Sequence, residues 1–272
     1  MSIYEKKEEE LMDKFTEFIK VCRKNRVFPE CEFLELFKQN IREMQIILPK
    51  NKVMYRSRIF RDEMYDKLEK ICTMVQESKT PDDYQLASDA TEQLHREYTY
   101  KINNGFEGYD EKNSFVNENV ESVIASRCNH NFEICLYTSD DIQTSISEVK
   151  PLIGETISVA SIEVLEDLKI IDLSLDFDEE GDELVFLRNL IALLFIDSPT
   201  EGNKGVYIYT QIICSLVKKM GYDGVKYSSC QDIEKINYAI FNYKKCKATG
   251  SEKYSITKID YGIEKMKAKK ER

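Results

Sequence analysis

Short apolar segments, joined by links of unequal length, most constrain what this chain can fold into. Their residue types and their polar or glycine-containing flanks indicate strands rather than helices. The predicted strands span residues 53–60, 134–138, 156–162, 169–173, 224–227 and 238–243. Helices do not alternate regularly with these strands, which disfavours a doubly wound parallel sheet. The pattern predicts an α+β fold with a mixed, short-stranded sheet at its core.

Two helices are predicted before the first strand. Apolar residues recur at helical spacing from Leu11 to Cys22, and again from Phe33 to Ile47, where Pro49 ends the pattern. We therefore expect a helical N-terminal extension over 1–50, a main domain over 51–250 and a charged tail over 251–272. The apolar faces of the extension either pack on the main domain or dock on a partner, a second copy of the chain included.

Later helices carry clear boundary signals. Thr80-Pro81-Asp82-Asp83 is a strong helix start, because threonine can cap, proline suits the first turn and acids suit the helix dipole. A short helix beginning at Asp140 or Asp141 is expected to carry Glu148 near its end. Further helices are predicted over 64–75, 183–196, which Ser198-Pro199 ends, and 210–220.

Charge and composition narrow the class of protein. The net charge of −10 and the pI of about 5.0 make broad nucleic-acid binding unlikely, because an acidic chain repels phosphate. The basic stretch Lys265–Arg272 is interpreted as a solvated terminus. The longest apolar run, Leu190–Ile196, is far shorter than the roughly 20 residues of a membrane span. Eight scattered cysteines and a charged N-terminus without a signal-peptide core predict a cytoplasmic protein with reduced thiols.

Common cofactor motifs are missing from the sequence. No Gly-x-Gly-x-x-Gly follows a predicted strand, and there is no Walker-type loop, so a Rossmann-bound cofactor is unsupported. Cys128, His130 and Cys135 lack a second ligand pair nearby, and we interpret the cysteines as buried thiols. No metal and no bound cofactor are expected.

Three polar residues at the ends of apolar elements point to a ligand site. Arg127, Glu148 and Ser229 would cost free energy to bury unless they are paired. A guanidinium, a carboxylate and a hydroxyl placed this way are typical of a site for phosphate and sugar. The structural alternatives are an ion pair between Arg127 and Glu148, and a serine that only caps a turn.

Four ordered sequence blocks resemble the RES-domain family, which is named for its Arg, Glu and Ser. The resemblance covers roughly residues 50–245, and the spacing from Arg127 to Tyr137 to Glu148 fits the family pattern. Two positions depart from it: Ser126 stands where glycine is common, and Thr138 where alanine is common. The blocks are 53–58, then 127–129 with 136–139 and 145–151, then 209–211, and finally 221–229 with 237–241.

The resemblance implies a fold akin to ADP-ribosyltransferases and an activity that consumes NAD⁺. Family members break the bond between nicotinamide and ribose and pass ADP-ribose to phosphate, to water or in some cases to a protein. Several are the toxic half of a toxin–antitoxin pair. For this chain the resemblance implies NAD⁺ as substrate, with inorganic phosphate, an antitoxin or another regulatory protein as further partners.

Residue roles follow from this chemistry. Glu148 is expected to stabilise positive charge on the ribose as nicotinamide leaves, while Arg127 grips phosphate oxygens and Ser229 bonds a hydroxyl or phosphate. Tyr137 is expected to stack on nicotinamide or hold a ribose, with a core strand position as the alternative, and packing is the favoured role of Tyr55. The predicted catalytic residues are Glu148, Arg127 and Ser229, and the predicted substrate-binding residues are Arg56, Tyr137, Asn129, Ser228 and Tyr55.

The leading functional hypothesis is an NAD⁺ glycohydrolase or phosphorylase that acts as a toxin or defence effector by depleting NAD⁺. An ADP-ribosyltransferase that modifies a protein or nucleic acid would use the same site. A third hypothesis is a non-catalytic module that binds nucleotides, or one arm of a complex held by the N-terminal helices.

Overall fold

The computed structural model describes residues 3–24, 29–61, 63–104, 108–176, 183–197 and 207–260. Ser198-Pro199 and the basic stretch Lys265–Arg272 lie outside the described residues. The chain divides into two compact units. The larger comprises Met1–Arg58, Tyr109–Lys150 and Ser158–Glu252, and the smaller comprises Ile59–Gly108, Pro151–Ile157 and Lys253–Arg272.

A mixed sheet organises the larger unit. Its strands, over the described residues, lie in the order β1-β5-β6-β7-β3-β2-β4-β8, with β5 and β6 parallel and the pairs β1–β5, β2–β3, β3–β7 and β6–β7 antiparallel. The predicted α+β class with a mixed sheet is confirmed. The strands are β1 Gln45–Leu48, β2 Val53–Ile59, β3 Leu136–Ser139, β4 Thr156–Val164, β5 Leu168–Asp172, β6 Gly224–Ser228, β7 Ile236–Ile240 and β8 Cys246–Ser255. The helices are α1 Ile3–Lys24, α2 Glu32–Asn40, α3 Glu63–Glu77, α4 Pro81–Asn104, α5 Glu111–Ser114, α6 Ile142–Glu148, α7 Glu183–Ile196 and α8 Tyr207–Lys219.

Both faces of the sheet are buried under apolar side chains. Successive strand residues point to opposite faces, and here they join different clusters: Ile171 and Ala239 belong to one, Ile170 and Ile240 to the other. The first cluster also contains the buried faces of α7 and α8. This double burial explains why neighbouring residues of one strand, such as Ile170 with Ile171 and Ala239 with Ile240, are both apolar.

The N-terminal helices are part of the core of the larger unit. Phe18 and Phe33 are fully buried and stack with ring centroids 5.2 Å apart, and Phe18 also lies 6.2 Å from the ring of Tyr209 on α8. The apolar faces of α1 and α2 are therefore covered by the same unit. Of the two alternatives for these helices, packing on the main domain is the one that the structure shows. Their apolar faces are covered and no longer argue for a homo-oligomer.

Two segments differ most from the sequence prediction. The helix predicted up to Ile47 ends at Asn40, and β1 follows, because Ile46 and Ile47 pair antiparallel with Ile170 and Lys169 of β5. Strand β8 was not predicted, since its sequence is largely polar and it occupies the sheet edge. It runs to Ser255, so the region expected as a tail from 251 begins as strand.

The smaller unit contains the two helices α3 and α4, which pack on each other. Thr80 and Asp83 form the expected cap: the Thr80 hydroxyl accepts from Asp83 N at 3.2 Å, and the Asp83 carboxylate accepts from Thr80 N at 2.9 Å. Its apolar core is small and centres on Ile71 and Leu94. No described helix combines the length and the apolar character that crossing a membrane would require.

Candidate active site

A two-turn helix delivers the candidate carboxylate. The side chain of Asp141 caps α6 by accepting from Thr144 N at 2.8 Å and from the Thr144 hydroxyl at 2.7 Å. Glu148 is the last residue of this helix, as the sequence predicted, and it lines a cavity of about 340 Å³. Local capping and helix length thus decide where the carboxylate emerges.

A row of side chains from four adjacent strands lines the same cavity. The register pairs Tyr55 of β2 with Ser139 of β3, Ser139 with Asn237 of β7, and Asn237 with Tyr227 of β6. Residues directly opposite each other in a sheet lie on the same face, and all four contribute to the cavity. Two phenol rings therefore flank two hydrogen-bonding side chains.

Glu148 is held through one oxygen. The Ser229 hydroxyl donates to Glu148 Oε1 at 2.5 Å, and Asn237 Nδ2 donates to the same oxygen at 2.6 Å. Asn237 is fixed in turn, because the Ser139 hydroxyl donates to its Oδ1 at 2.6 Å. Charge-assisted hydrogen bonds of this kind favour a defined carboxylate orientation.

Arg127 lies in a loop that hydrogen bonds from α8 hold in place. Thr210 donates its hydroxyl to Arg127 O at 2.6 Å, and Gln211 Nε2 donates to Ser126 O at 2.8 Å. The buried guanidinium donates through Nη1 to the Phe195 carbonyl and to Asp197 O, the latter at 3.1 Å. Its Cζ lies 5.3 Å from the centroid of the Tyr207 ring, within cation–π range.

Tyr137 holds the loop that carries Arg127. Its hydroxyl accepts from Cys128 N at 2.8 Å and donates to Asn129 Oδ1 at 2.8 Å. Burial raises the pKa of the Tyr137 phenol well above its ordinary value, so the hydroxyl keeps the proton it donates. The amide of Asn129 donates to the carbonyls of Ile124 and His130. The Tyr137 hydroxyl is thus committed to the protein, while the residue still lines the cavity.

Arg56 is a half-buried cation with few compensating contacts. It contributes to the cavity wall, and its Nη1 donates to Tyr137 O at 3.3 Å. Its Nε is buried and has no hydrogen-bond partner. Burial, with a smaller contribution from the charge of Arg58, lowers the pKa of Arg56 to about 10. A guanidinium in this setting favours an anion beside it.

The structure places five of the eight predicted site residues on the wall of one cavity. The other three are buried behind that wall. Tyr55, Arg56, Arg127, Tyr137 and Glu148 all line the cavity. Ser229, Ser228 and Asn129 are buried and are not part of the lining. Ser229 acts on Glu148, as described above.

Ser228 accepts from Leu175 N at 3.1 Å, and this bond ties the end of β6 to the segment after β5. The Ser228 hydroxyl is therefore placed to support the fold around the cavity. Asn129 supports the Arg127 loop in the same indirect way. The direct sugar or phosphate contacts expected of these serines are not what this geometry favours.

The ion pair between Arg127 and Glu148, which was the structural alternative to a ligand site, does not form. Within the described residues, neither Arg127 nor Arg56 lies within 4.0 Å of a carboxylate oxygen, whereas Arg188 does. The ion-pair alternative is therefore wrong, whereas Ser229 does cap a turn, because its hydroxyl accepts from Gln231 N at 3.1 Å as well as donating to Glu148. Although the chain is acidic, its cavity contains two guanidinium groups that have no carboxylate partner among the described residues. They line the same cavity as Glu148, which hydrogen bonds hold in place.

Sequence reasoning missed four of the lining residues that matter most here. They are Ser139, Tyr207, Tyr227 and Asn237. Three of them belong to the observed strands β3, β6 and β7, but only Tyr227 lies within a predicted strand. Only the strand register shows that they meet Glu148 and Tyr55. Asn237 opens one of the quoted blocks, and that position was the one signal available for it.

The fold and the site define an α+β domain with a cavity that is rich in arginine and tyrosine and, among the described residues, carries one carboxylate. The chain belongs to the RES-domain family: the RES domain family model matches residues 114–262, more than half of the chain. The resemblance found from the sequence is confirmed there. Its first block, Val53–Arg58, lies before the matched segment. Tyr55 and Arg56 are therefore assigned to the site only because they line the cavity.

Comparison with solved structures includes a chain of the crystal structure of the M. tuberculosis MbcT–MbcA toxin–antitoxin complex. The alignment has a TM-score of 0.40 and 10% sequence identity, and it covers 80% of this chain and 91% of that chain. No curated protein matches the sequence.

Proposed function

We propose that this chain is an NAD⁺-consuming enzyme that cleaves the bond between nicotinamide and ribose and passes ADP-ribose to water or inorganic phosphate. The observation that carries the proposal is that two donors hold one oxygen of Glu148, in a cavity whose other charged groups include Arg56 and Arg127. Neither arginine is ion-paired with a carboxylate of the described residues. Membership of the RES-domain family supports it.

The charges in the cavity fit a dinucleotide whose reacting sugar becomes positive. The pyrophosphate of NAD⁺ is an anion, and planar guanidinium groups match its oxygens. Departure of nicotinamide leaves positive charge on the ribose, which a nearby carboxylate stabilises by an amount typical of a well-placed polar group, about 3–4 kcal/mol. Buried tyrosine rings offer flat apolar surfaces for nicotinamide, and the cavity volume lies within the range of about 300–1,000 Å³ for ligand pockets.

Each residue has a role in this proposal. Glu148 stabilises the ribose cation, and Arg127 and Arg56 bind the phosphates. Ser229 holds Glu148, while Tyr137 and Asn129 hold the Arg127 loop. The biological role that follows from family membership is a toxin or defence effector that depletes NAD⁺ and is restrained by an antitoxin or another regulatory protein.

The product made from NAD⁺ tests the proposal. Purified protein, freed of bound proteins by refolding, is incubated with NAD⁺ with and without phosphate, and nicotinamide release is followed. We expect release by the wild type and by Glu166→Gln, a matched change on an exposed carboxylate. Release by Glu148→Gln and by Arg127→Ala should be slower by about 10²-fold or more. A folded wild type that releases no nicotinamide contradicts the proposal.

The fate of ADP-ribose separates the remaining hypotheses. Free ADP-ribose indicates hydrolysis, and its phosphate ester, formed only with phosphate present, indicates phosphorolysis. Label from NAD⁺ on a protein or nucleic acid indicates transfer to a macromolecule instead. Binding of NAD⁺ in calorimetry without any product indicates a non-catalytic module.

A further inference from the structure

The two ends of the Asn237 side-chain amide make hydrogen bonds to two different residues. Its Nδ2 donates to Glu148 Oε1 at 2.6 Å, while its Oδ1 accepts from the Ser139 hydroxyl at 2.6 Å. Because a carboxylate only accepts, the NH₂ end must face Glu148. Asn237 is 3% exposed and Ser139 is also 3% exposed, so water does not compete readily for either bond.

The strand register fixes this pair independently of their side chains. Ser139 and Asn237 are directly opposite each other in the antiparallel pair of β3 and β7. Three further residue pairs hold the same two strands in this register. The hydroxyl of Ser139 is therefore presented to the Asn237 amide by the backbone of the sheet, and the amide cannot turn over without losing a buried bond.

Both donors to Glu148 act on the same oxygen. Ser229 and Asn237 bond Oε1, and Oε2 receives no hydrogen bond from any residue in the described part of the chain. Helix α6 ends at Glu148, so the backbone alone leaves its side chain several rotatable bonds. Two donors on one oxygen restrict these bonds and leave the second oxygen for the ligand.

We propose that Asn237, oriented by Ser139, is a positioning residue that fixes Glu148 so that Oε2 faces the ribose of the substrate. The inference rests on the proposed function. It extends the catalytic unit from three residues to a chain of bonds that runs from Ser139 through Asn237 to Glu148, with Ser229 as the second donor.

Four variants test the chain of bonds by steady-state kinetics of nicotinamide release. Asn237→Ala should lower kcat by about 10- to 100-fold, the range expected for a hydrogen bond to a charged group, with KM unchanged. Ser139→Ala should lower kcat less, by several-fold, since it only frees the Asn237 amide to turn. The Ser139→Ala/Asn237→Ala double variant should be no slower than Asn237→Ala, because Ser139 acts through Asn237. Asn237→Asp keeps the shape and the Ser139 bond but loses the donor, and it should be at least as slow as Asn237→Ala.

Tyr238→Phe is the matched control. It lies next to Asn237 on β7, points to the opposite face, and also loses a hydrogen bond to a carboxylate, that of Asp140 at 3.1 Å. We expect its kcat and KM to match the wild type. Multiplicative losses for Ser139→Ala and Asn237→Ala, or a raised KM with unchanged kcat in Asn237→Ala, would overturn the inference.

A readout without activity keeps this test separate from the proposed function. In denaturant unfolding, Asn237→Ala and Glu148→Ala should be coupled, so that their combined effect on the unfolding equilibrium constant differs from the product of the single effects by about tenfold or more. If the wild type releases no nicotinamide, the proposed function fails, and this cycle still decides whether Asn237 holds Glu148. Independent effects of the two substitutions contradict the positioning role.

Discussion

Replacing Arg56 with methionine should make the protein more stable and less active. Arg56 has one hydrogen bond of 3.3 Å, an unpartnered Nε and no carboxylate within 4.0 Å in the described chain. The fall of its pKa from the usual 12.5 to about 10 corresponds to roughly 3 kcal/mol against the charged form. Because the charged form is the disfavoured one, this cost is present below pH 10 and is relieved only above it.

The size of the effect follows from two opposing contributions. Methionine removes the cost of burying the charge but also loses the bond to Tyr137 O, which contributes about 1 kcal/mol. We expect a net gain of about 1–2 kcal/mol, or a rise in Tm of roughly 3–6 °C. Loss of an anion contact should at the same time raise KM for NAD⁺ by about 10- to 100-fold.

The contrasting variant is Arg188→Met. Arg188 is also partly buried, but it pairs with Asp176, so the same substitution removes an ion pair and should destabilise the protein by about 1 kcal/mol. Thermal and urea unfolding of both variants at pH 7, followed by circular dichroism, checks the opposite signs. A loss of stability in Arg56→Met equal to that in Arg188→Met would refute the view of Arg56 as an uncompensated cation awaiting an anion.

Two further predictions concern the Arg127 loop and the N-terminal helices. Tyr137→Phe leaves Cys128 N and Asn129 Oδ1 without their partner. It should lower the free energy of unfolding in urea by about 2–4 kcal/mol and should also lower kcat. A variant as stable as the wild type would show that the loop does not depend on this hydroxyl. Phe18→Ala should cost about 3–5 kcal/mol, because Phe18 is fully buried, whereas Phe132→Ala, at a 62% exposed position, should be nearly neutral. A Phe18→Ala protein as stable as Phe132→Ala would mean that α1 is a detachable extension.

Local sequence signals were sufficient for the helix that carries Glu148. Asp141 is a strong N-cap, and the apolar and polar spacing of the following residues sets a helix that ends at Glu148. Gly221 likewise ends α8 with a φ of 86°, a conformation that glycine adopts without strain. Such features depend on a few neighbouring residues, and the sequence predicts them well.

The sequence did not predict which distant strand residues lie opposite each other in the sheet. Asn237 and Ser139 are separated by nearly a hundred residues, and only the register of β7 against β3 brings the amide to Glu148. The helix predicted through Ile47 failed for the same reason, since pairing with β5 outweighs a helical spacing of apolar residues. The ordered family blocks contain most of the residues of the candidate site, but they did not separate Arg127, which lines the cavity, from Ser229, which lies behind the carboxylate.

The most direct test of the central claim compares binding and cleavage in Glu148→Gln. Glutamine retains an oxygen for Ser229 and Asn237 but loses the negative charge. Calorimetry and nicotinamide release should show an NAD⁺ affinity close to that of the wild type together with a kcat lowered by about 10²-fold or more. A Glu148→Gln protein that cleaves NAD⁺ at the wild-type rate would contradict the assignment of Glu148 as the catalytic carboxylate.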